Sequence, residues 1–153
     1  MTTRDATVRD VPEIERLVVE LAAYEGLAGE ISWGPGDLEN MLFGEGAVPK
    51  VLLAESEDGE VVGFALYFFT FSTFLGRPGI WLEDLFVSPS HRAAGHGKEL
   101  LGRLRRLTDG RVEWNVLDWN ESSIGFYESL GARPVTGWTT YRWLAEPRTE
   151  TPE

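Results

Sequence analysis

The sequence predicts an α/β domain built on a mixed sheet with helices on both faces. Short strand-like runs alternate with amphipathic helical patterns along the 153 residues. Two of the strand runs, Val51–Glu55 and Val61–Phe71, are joined through Asp58-Gly59, which is a strong hairpin signal. We expect a single domain over residues 1–153, with residues 146–153 forming a frayed tail.

Local signals predict the other elements in order. Ala6–Arg9 is the first strand, and Asp10 then caps a helix that has Glu13 at the capping-box spacing. Apolar residues recur at helical spacing along one face of that helix, at Ile14, Leu17, Val18, Leu21 and Ala22. The remaining predictions are a short helix near Leu38–Phe43, a loop at Ser72–Gly79, a strand at Trp81–Val87, a helix at Gly97–Leu107, a strand at Val112–Leu117, a helix at Ser123–Leu130 and a closing strand at Thr139–Trp143.

Composition excludes several classes of function. A formal net charge of −11 argues against a nucleic-acid partner, which would require a basic patch, and is compatible with small cationic substrates. Without cysteine the chain has no disulfide, no thiolate metal site and no cysteine nucleophile, and two histidines are too few for most metal sites. No apolar run is long enough to span a membrane, and the first residues lack a signal-peptide core. We therefore expect no metal, no membrane partner and a cytoplasmic location.

A glycine-rich segment between a predicted strand and a predicted helix indicates an anion site. Residues 92–98 read Arg-Ala-Ala-Gly-His-Gly-Lys. Glycines allow the backbone to approach an oxyanion, and the first N–H groups of a helix lack partners within the helix. Arg92 and Lys98 add cationic donors suited to a diphosphate. The phosphate-loop and dinucleotide-binding patterns are both absent, and glycines at such a turn also serve the turn alone.

Several motifs in order resemble one family. The spacing Arg-x-x-Gly-x-Gly resembles the acetyl-CoA diphosphate loop of the GCN5-related (GNAT) acetyltransferases. Residues 116–132, VLDWNESSIGFYESLGA, resemble the second cofactor motif of that family, and residues 81–87, WLEDLFV, resemble the strand that supplies its base. The likeness runs from about Val8 to Trp143 and is strongest to the diamine (spermidine/spermine) and thialysine N-epsilon-acetyltransferases.

This resemblance implies a GNAT fold, with a mostly antiparallel sheet whose central strands, Trp81–Val87 and Val112–Leu117, splay apart to admit acetyl-CoA. It implies acetyl-CoA as cosubstrate, and it implies cofactor contacts by the backbone of Leu85, Phe86 and Val87, by the loop residues Arg92, Ala93, Ala94, Gly95, His96, Gly97 and Lys98, and by Asn120 and Ser123. Helix capping would account equally well for Asn120 and Ser123, and core packing for the side chains of residues 85–87.

The resemblance also implies two catalytic residues. Tyr127 matches the family tyrosine that protonates or hydrogen-bonds the CoA sulfur, and a phenol with a pKa of about 10 is protonated at neutral pH. Glu83 matches the proposed general base, and we expect it to hold an alkylammonium and relay its proton through water. Asp84 is a weaker substrate-binding candidate, which strand alternation should place on the opposite face of the sheet. Packing of Tyr127 and simple exposure of Glu83 remain open.

Tyr24 and Glu25 end the first helix where this subfamily binds substrate, although a plain surface helix end would look the same. Residues 71–76 read FSTFLG, where polyamine acetyltransferases carry an aspartate and a tryptophan. We therefore expect acetyl transfer to a small primary amine of the thialysine or lysine type, with polyamines next. The alternatives are a protein-lysine acetyltransferase and a catalytically silent CoA-binding module. Relatives of this size imply a homodimer, in which Thr139–Trp143 is an edge to pair or swap.

Overall fold

The computed structural model describes residues 2–146. In chain order its strands and α-helices are β1 Thr2–Asp5, α1 Val11–Tyr24, α2 Asp37–Phe43, β2 Lys50–Glu55, β3 Val61–Ser72, β4 Arg77–Val87, α3 His96–Arg106, β5 Val112–Trp114 and α4 Glu121–Ser129. The chain divides after Asn115 into two compact units, the first of which contains the whole sheet. The single domain over 1–153 stays a prediction. Of its expected frayed tail, residues 147–153 lie outside the described part.

The five described strands form one sheet in the order β1-β2-β3-β4-β5. The first four pair antiparallel, and β5 pairs parallel to β4, so the predicted mixed and mostly antiparallel sheet is confirmed. β4 and β5 pair over three residues only, Ile80–Leu82 against Val112–Trp114. β4 continues to Val87, whereas β5 ends at Trp114. The pairing of the two strands therefore ends where the sequence predicts that they splay apart.

Helices cover both faces of this sheet. On the face that we call the α1 face, Ile14, Leu17 and Leu21 of α1 pack on strand residues in one buried cluster, as the helical periodicity predicts; its strand members are Val51, Leu53, Phe64, Leu66 and Phe86. Tyr67 alternates onto the other face and lies near the charge of Arg103 of α3. The predicted hairpin is also confirmed, since β2 and β3 pair across the turn at Asp58-Gly59.

The start of the chain differs from the prediction. The first strand is Thr2–Asp5, and the predicted strand at Ala6–Arg9 instead enters a short 3-10 turn at Val8–Asp10. A capping box does form, but one turn earlier than Asp10 and Glu13 would make it, between Thr7 and Asp10. The Asp10 carboxylate accepts hydrogen bonds from the Thr7 N–H at 2.7 Å and from the Arg4 guanidinium at 2.8 Å. These donors hold its pKa well below the usual range and fix the entry into α1.

The predicted closing strand at Thr139–Trp143 is wrong for the described chain, because residues 132–146 contain no helix or strand. Alternating large and polar residues fit a strand, but a strand also needs a partner with open backbone groups. Several large apolar side chains here are strongly exposed: Val135, Trp138, Tyr141, Trp143 and Leu144. The predicted loop at Ser72–Gly79 is shorter than expected, since β3 and β4 extend into it and leave residues 73–76 as the turn. No described helix is long and apolar enough to cross a membrane.

Candidate active site

The most consequential irregularity in the sheet is a β-bulge at Glu83. Leu66 pairs with Asp84, and the next β3 residue, Tyr67, pairs with Leu82, so Glu83 is the extra residue of β4. Asp84 shares the α1 face with Leu66, while the Glu83 carboxylate accepts a hydrogen bond of 2.8 Å from the indole of Trp81. Trp81 pairs with Phe68, which strand alternation also places on the α1 face.

The bulge overturns the expectation that Glu83 and Asp84 point to opposite faces. A residue inserted into a strand breaks the alternation of side chains and redirects the neighbours. The carboxylates of Glu83 and Asp84 therefore lie close to each other. The charge of Glu83 is one cause of the raised pKa of Asp84. The two residues form a pair, where regular strand geometry predicted only one site-facing carboxylate.

Glu25, at the C-terminus of α1, completes a group of three carboxylates with Glu83 and Asp84. Burial, followed by the charges of Glu83 and Glu25, raises the pKa of Asp84 to about 6. Burial also raises the pKa of Glu25. Such a group favours a cation, because a positive charge relieves both the repulsion and the desolvation. Among residues 2–146, no group of three or more acidic, histidine or cysteine side chains is arranged to hold a metal ion.

Tyr24 lies next to this group but faces an arginine. The Arg92 guanidinium lies 4.7 Å from the centroid of the Tyr24 ring and 5.4 Å from that of Phe86. Its Nε donates to the Val87 carbonyl at 3.0 Å. The predicted cofactor residue Arg92 therefore ties the end of α1 to the end of β4, and one face of Tyr24 carries a cation from the protein itself.

The loop before α3 presents an open helix N-terminus. Gly95 is the N-cap residue, with φ of +89°, and no side chain caps the helix there. Ala93 also has a positive φ, of +64°, which is uncommon for a residue with a Cβ. Positive φ at these two positions turns the chain sharply into α3, and first-turn N–H groups at a helix start favour an anion. Ala94 and Lys98 are exposed in the same segment.

His96 contributes to this loop in a different way from its neighbours. Its side chain is buried on the inner side of α3, and burial lowers its pKa, so the neutral imidazole is favoured. Its Nδ1 is buried and has no hydrogen-bond partner among the described residues. Of the predicted cofactor contacts, His96 can therefore offer its backbone N–H, as can the next residue, Gly97.

The second unit contains three predicted site residues on or beside α4. Asn120 is buried at the N-cap of this helix, and its side chain accepts a hydrogen bond from the Ser123 N–H at 3.2 Å. The capping role that the sequence left open is therefore present. Tyr127 lies within the helix, where its ring packs on Phe126 with the centroids 5.6 Å apart.

Sequence reasoning missed Trp81 as a site residue, and it missed the bulge. The spacing of Trp81 and Glu83 carried a usable signal, because residues two apart on a strand share a face. The bulge had none, since nothing in the run Trp-Leu-Glu-Asp-Leu-Phe-Val marks which residue is extra.

Comparison with known proteins decides the family. Residues 16–132 match the Acetyltransferase (GNAT) family. The chain belongs to the GNAT acetyltransferases. It is 35% identical to the thialysine N-epsilon-acetyltransferase of Bos taurus, over 96% of this chain and 94% of that protein. It is 33% identical to the human spermidine/spermine N(1)-acetyltransferase-like protein 1, over 94% of this chain but only 22% of that protein. The predicted resemblance, enzyme class and fold are confirmed.

A solved structure supports the GNAT fold along nearly the whole length. The integron cassette protein VCH_CASS6 from the mobile metagenome of V. cholerae superposes with a TM-score of 0.78 at 27% identity. The superposition covers 95% of this acetyltransferase and 93% of that chain.

The raised pKa of Asp84 predicts a pH-dependent stability difference. The folded protein binds a proton at Asp84 below about pH 6, whereas the unfolded chain does so only below about 3.9. The charged carboxylate thus destabilises the fold above pH 6, and this penalty fades as pH falls towards 4. We expect Asp84→Asn to increase the free energy of unfolding by about 1–3 kcal/mol at neutral pH and by little near pH 4. Urea titrations at both pH values measure this.

Asp118→Asn is the matched control, because it makes the same substitution at an exposed position. It should leave the free energy of unfolding nearly unchanged at both pH values. Equal stability of Asp84→Asn and the unsubstituted acetyltransferase at neutral pH would contradict the buried, mutually repelling carboxylates.

Proposed function

We propose that this acetyltransferase moves an acetyl group from acetyl-CoA to a primary amine of a small molecule, by direct attack in a ternary complex. The cluster of three carboxylates at the β4 bulge is the observation that supports this proposal. Glu25, Glu83 and Asp84 concentrate negative charge where Asp84 is already partly buried, and an alkylammonium is the ligand that relieves it. The three residues lie in the same unit as the open N-terminus of α3.

The loop before α3 fits the diphosphate of acetyl-CoA. The first-turn N–H groups of α3, including those of His96 and Gly97, are available to an anion, and Lys98 adds a positive charge. Arg92 supports this loop through its hydrogen bond to the Val87 carbonyl. Acetyl-CoA supplies the acetyl group as a thioester. Leu85 and Phe86 offer backbone along the part of β4 that β5 leaves unpaired.

The chain's own residues then handle two protons. An amine attacks only when neutral, so an ammonium held by Glu83 must lose a proton, and Asp84 accepts it, directly or through water. A carboxylate with a pKa of about 6 is a better acceptor than an ordinary one, which shifts this role from Glu83 to Asp84. The Tyr127 hydroxyl donates a proton to the departing sulfur.

We propose an acceptor of the thialysine or lysine type, with polyamines second. The Bos taurus relative is named for thialysine, an amino acid that ends its side chain in a primary amine. Ser72 stands where polyamine acetyltransferases carry a negatively charged side chain. The second ammonium of a polyamine therefore gains less binding energy at that position.

Acetyl-CoA binding is expected to raise the melting temperature, because a ligand that binds only the folded state stabilises it by about 2.7 kcal/mol at a hundred times its Kd. Gly95→Val should abolish this shift, since Gly95 has a φ of +89° that valine cannot adopt without moving the loop. Differential scanning fluorimetry with and without acetyl-CoA measures the shift.

Gly59→Val controls for strain alone, because Gly59 also has a positive φ, of +80°, in the β2–β3 turn. It should lower the melting temperature but retain the acetyl-CoA shift. No shift with the unsubstituted protein at saturating acetyl-CoA would refute the proposed cosubstrate.

The two carboxylates of the bulge should give different kinetic signatures. Asp84→Asn should lower kcat/KM for the amine by about 10²-fold and remove an inflection near pH 6 from its pH profile. Glu83→Gln should mainly raise the KM for the amine and keep an inflection from Asp84, moved to lower pH because the charge of Glu83 no longer raises the pKa of Asp84. Steady-state thiol release across a pH series separates these effects.

Tyr127→Phe tests the acid, with Tyr141→Phe as control because it also removes a phenol hydroxyl and keeps the aromatic ring. Tyr127→Phe should lower kcat while acetyl-CoA still raises the melting temperature. Full activity in Tyr127→Phe would assign the acid elsewhere, and loss of the inflection in Glu83→Gln alone would return the base to Glu83.

We propose that two copies of this chain associate through residues 133–146. This segment exposes Trp138, Tyr141 and Trp143, with 81%, 93% and 99% of their surface accessible. Three aromatic side chains this exposed within six residues favour burial against another molecule. A symmetric dimer is the commonest way for a soluble chain to achieve it.

Light scattering at micromolar concentration should give the mass of a dimer. Tyr141→Ser combined with Trp143→Ser should give a monomer, because it removes the exposed aromatic surface. Phe74→Ser, at a side chain that is 92% exposed in the β3–β4 turn, should leave the mass unchanged. A monomeric unsubstituted protein would overturn this assembly.

A further inference from the structure

A small polar pocket lies at the start of β4, at the opposite end of the strand from the cluster of three carboxylates. Its volume is about 260 Å³, and its lining comes from the end of β3, the start of β4 and the chain around β5: Thr70, Phe71, Ser72, Thr73, Arg77, Gly79, Arg111 and Glu113. Every lining residue belongs to the first unit. Two arginines, one glutamate and three hydroxyl side chains make this pocket chemically unlike the bulge.

Gly79 allows this pocket to exist. A Cβ at this position would lie 2.9 Å from the Arg111 carbonyl oxygen and 2.9 Å from the Thr70 hydroxyl. Strand β4 therefore has no side chain where the two neighbouring chain segments approach. Ile80 N–H also donates to the Arg111 carbonyl at 2.8 Å, which fixes the start of β5 against β4.

The pocket and the carboxylates at the bulge lie on the same face of the sheet. Thr70 pairs with Gly79, Phe68 with Trp81 and Leu66 with Asp84, and alternation along β3 places all these pairs on the α1 face. Glu113 pairs with Trp81 and so lies on the same face. Gly79 and Glu83 are four residues apart, or about 13 Å along the strand.

The two ends of this face differ in charge. The bulge end carries carboxylates, Glu83 and Asp84, whereas the pocket end carries two arginines, Arg77 and Arg111, beside one carboxylate, Glu113. Arg77 is partly neutralised by Asp109, at 3.4 Å. Within residues 2–146, Arg111 has no carboxylate at ion-pair distance, so its guanidinium can take an anion from outside the protein.

We propose that this pocket binds the α-amino-acid end of the acceptor, with Arg111 on its carboxylate and Glu113 on its α-ammonium. The acceptor's reacting amine then lies at Glu83 and Asp84, and its methylene chain lies along Trp81. The separation matches an extended lysine-like molecule together with the reach of the Arg111 and Glu83 side chains. Arg111 thus selects amines that carry a carboxylate over diamines of the same length. This inference rests on the proposed amine acetylation.

Three acceptors with one chain length test the pocket: lysine, which has both head groups, 6-aminohexanoate, which has only the carboxylate, and 1,5-diaminopentane, which lacks it. Arg111→Gln should lower kcat/KM about tenfold for lysine and 6-aminohexanoate and raise that for the diamine, because the repulsion between Arg111 and the second ammonium is lost. Glu113→Gln should affect lysine but spare 6-aminohexanoate. Arg111→Glu should reverse the preference and favour the diamine.

Arg9→Gln is the matched control, because it removes the same charge from an exposed position outside the pocket. It should lower kcat/KM for none of the three acceptors. Equal loss for all three acceptors in Arg111→Gln, or no preference of the unsubstituted enzyme for lysine over the diamine, would overturn the proposal.

Calorimetric titration of lysine separates this inference from the proposed function, since it needs no turnover. Lysine binding that is lost in Arg111→Gln but kept in Arg9→Gln supports the pocket, even if no acceptor is acetylated and the proposed function fails. Acetylation of the diamine without any lysine binding overturns the pocket and leaves amine acetylation intact.

Discussion

One extra residue in β4 places the carboxylates of Glu83 and Asp84 beside each other. Without the bulge, strict alternation would send either Glu83 or Asp84 to the face of the sheet opposite α1. With it, the Glu83 carboxylate reaches the Trp81 indole while Asp84 stays paired with Leu66 on the α1 face. Two neighbouring carboxylates then repel each other in a partly dehydrated place. Burial, followed by that repulsion, raises the pKa of Asp84, and both effects favour a cation beside it.

Such a site opposes the stability of the fold that contains it. The surrounding α1 face is an apolar cluster that includes Phe64, Leu66 and Phe86. A carboxylate beside these residues loses hydration, and Glu25 at the end of α1 adds a third negative charge. The stable ladder between β3 and β4, which runs from Gly63–Val87 to Ser72–Arg77, offsets this cost. Local strain and electrostatic repulsion of this kind are expected where function requires a side chain with a shifted pKa.

Sequence patterns predicted the elements whose signals are local. The apolar stripe of α1, the Asp58-Gly59 hairpin and the glycine turn before α3 each depend on residues close together in the chain, and each was found. The bulge depends on how β3 and β4 pair, which no single strand encodes. The prediction of a strand at Thr139–Trp143 is wrong for a related reason. The β-propensity of a segment favours a strand but does not supply the neighbouring strand with which it must pair. The sequence indicates a diphosphate contact for Arg92, but its stacking on Tyr24 depends on where α1 ends, which the sequence around Arg92 does not encode.

The distribution of charge along the α1 face gives the proposed acceptor preference a physical reason that the net charge cannot give. An overall charge of −11 attracts every cationic amine from a distance, and salt screens that attraction within about 10 Å. Discrimination between a diamine and an amino acid must therefore come from contacts at both ends of the acceptor. A second ammonium placed beside Arg111 would be repelled at short range, whereas a carboxylate there gains a charge-assisted hydrogen bond. In the proposed site, the carboxylates of the bulge bind the feature common to all these amines, and Arg111, beside the opposite end of β4, distinguishes among them.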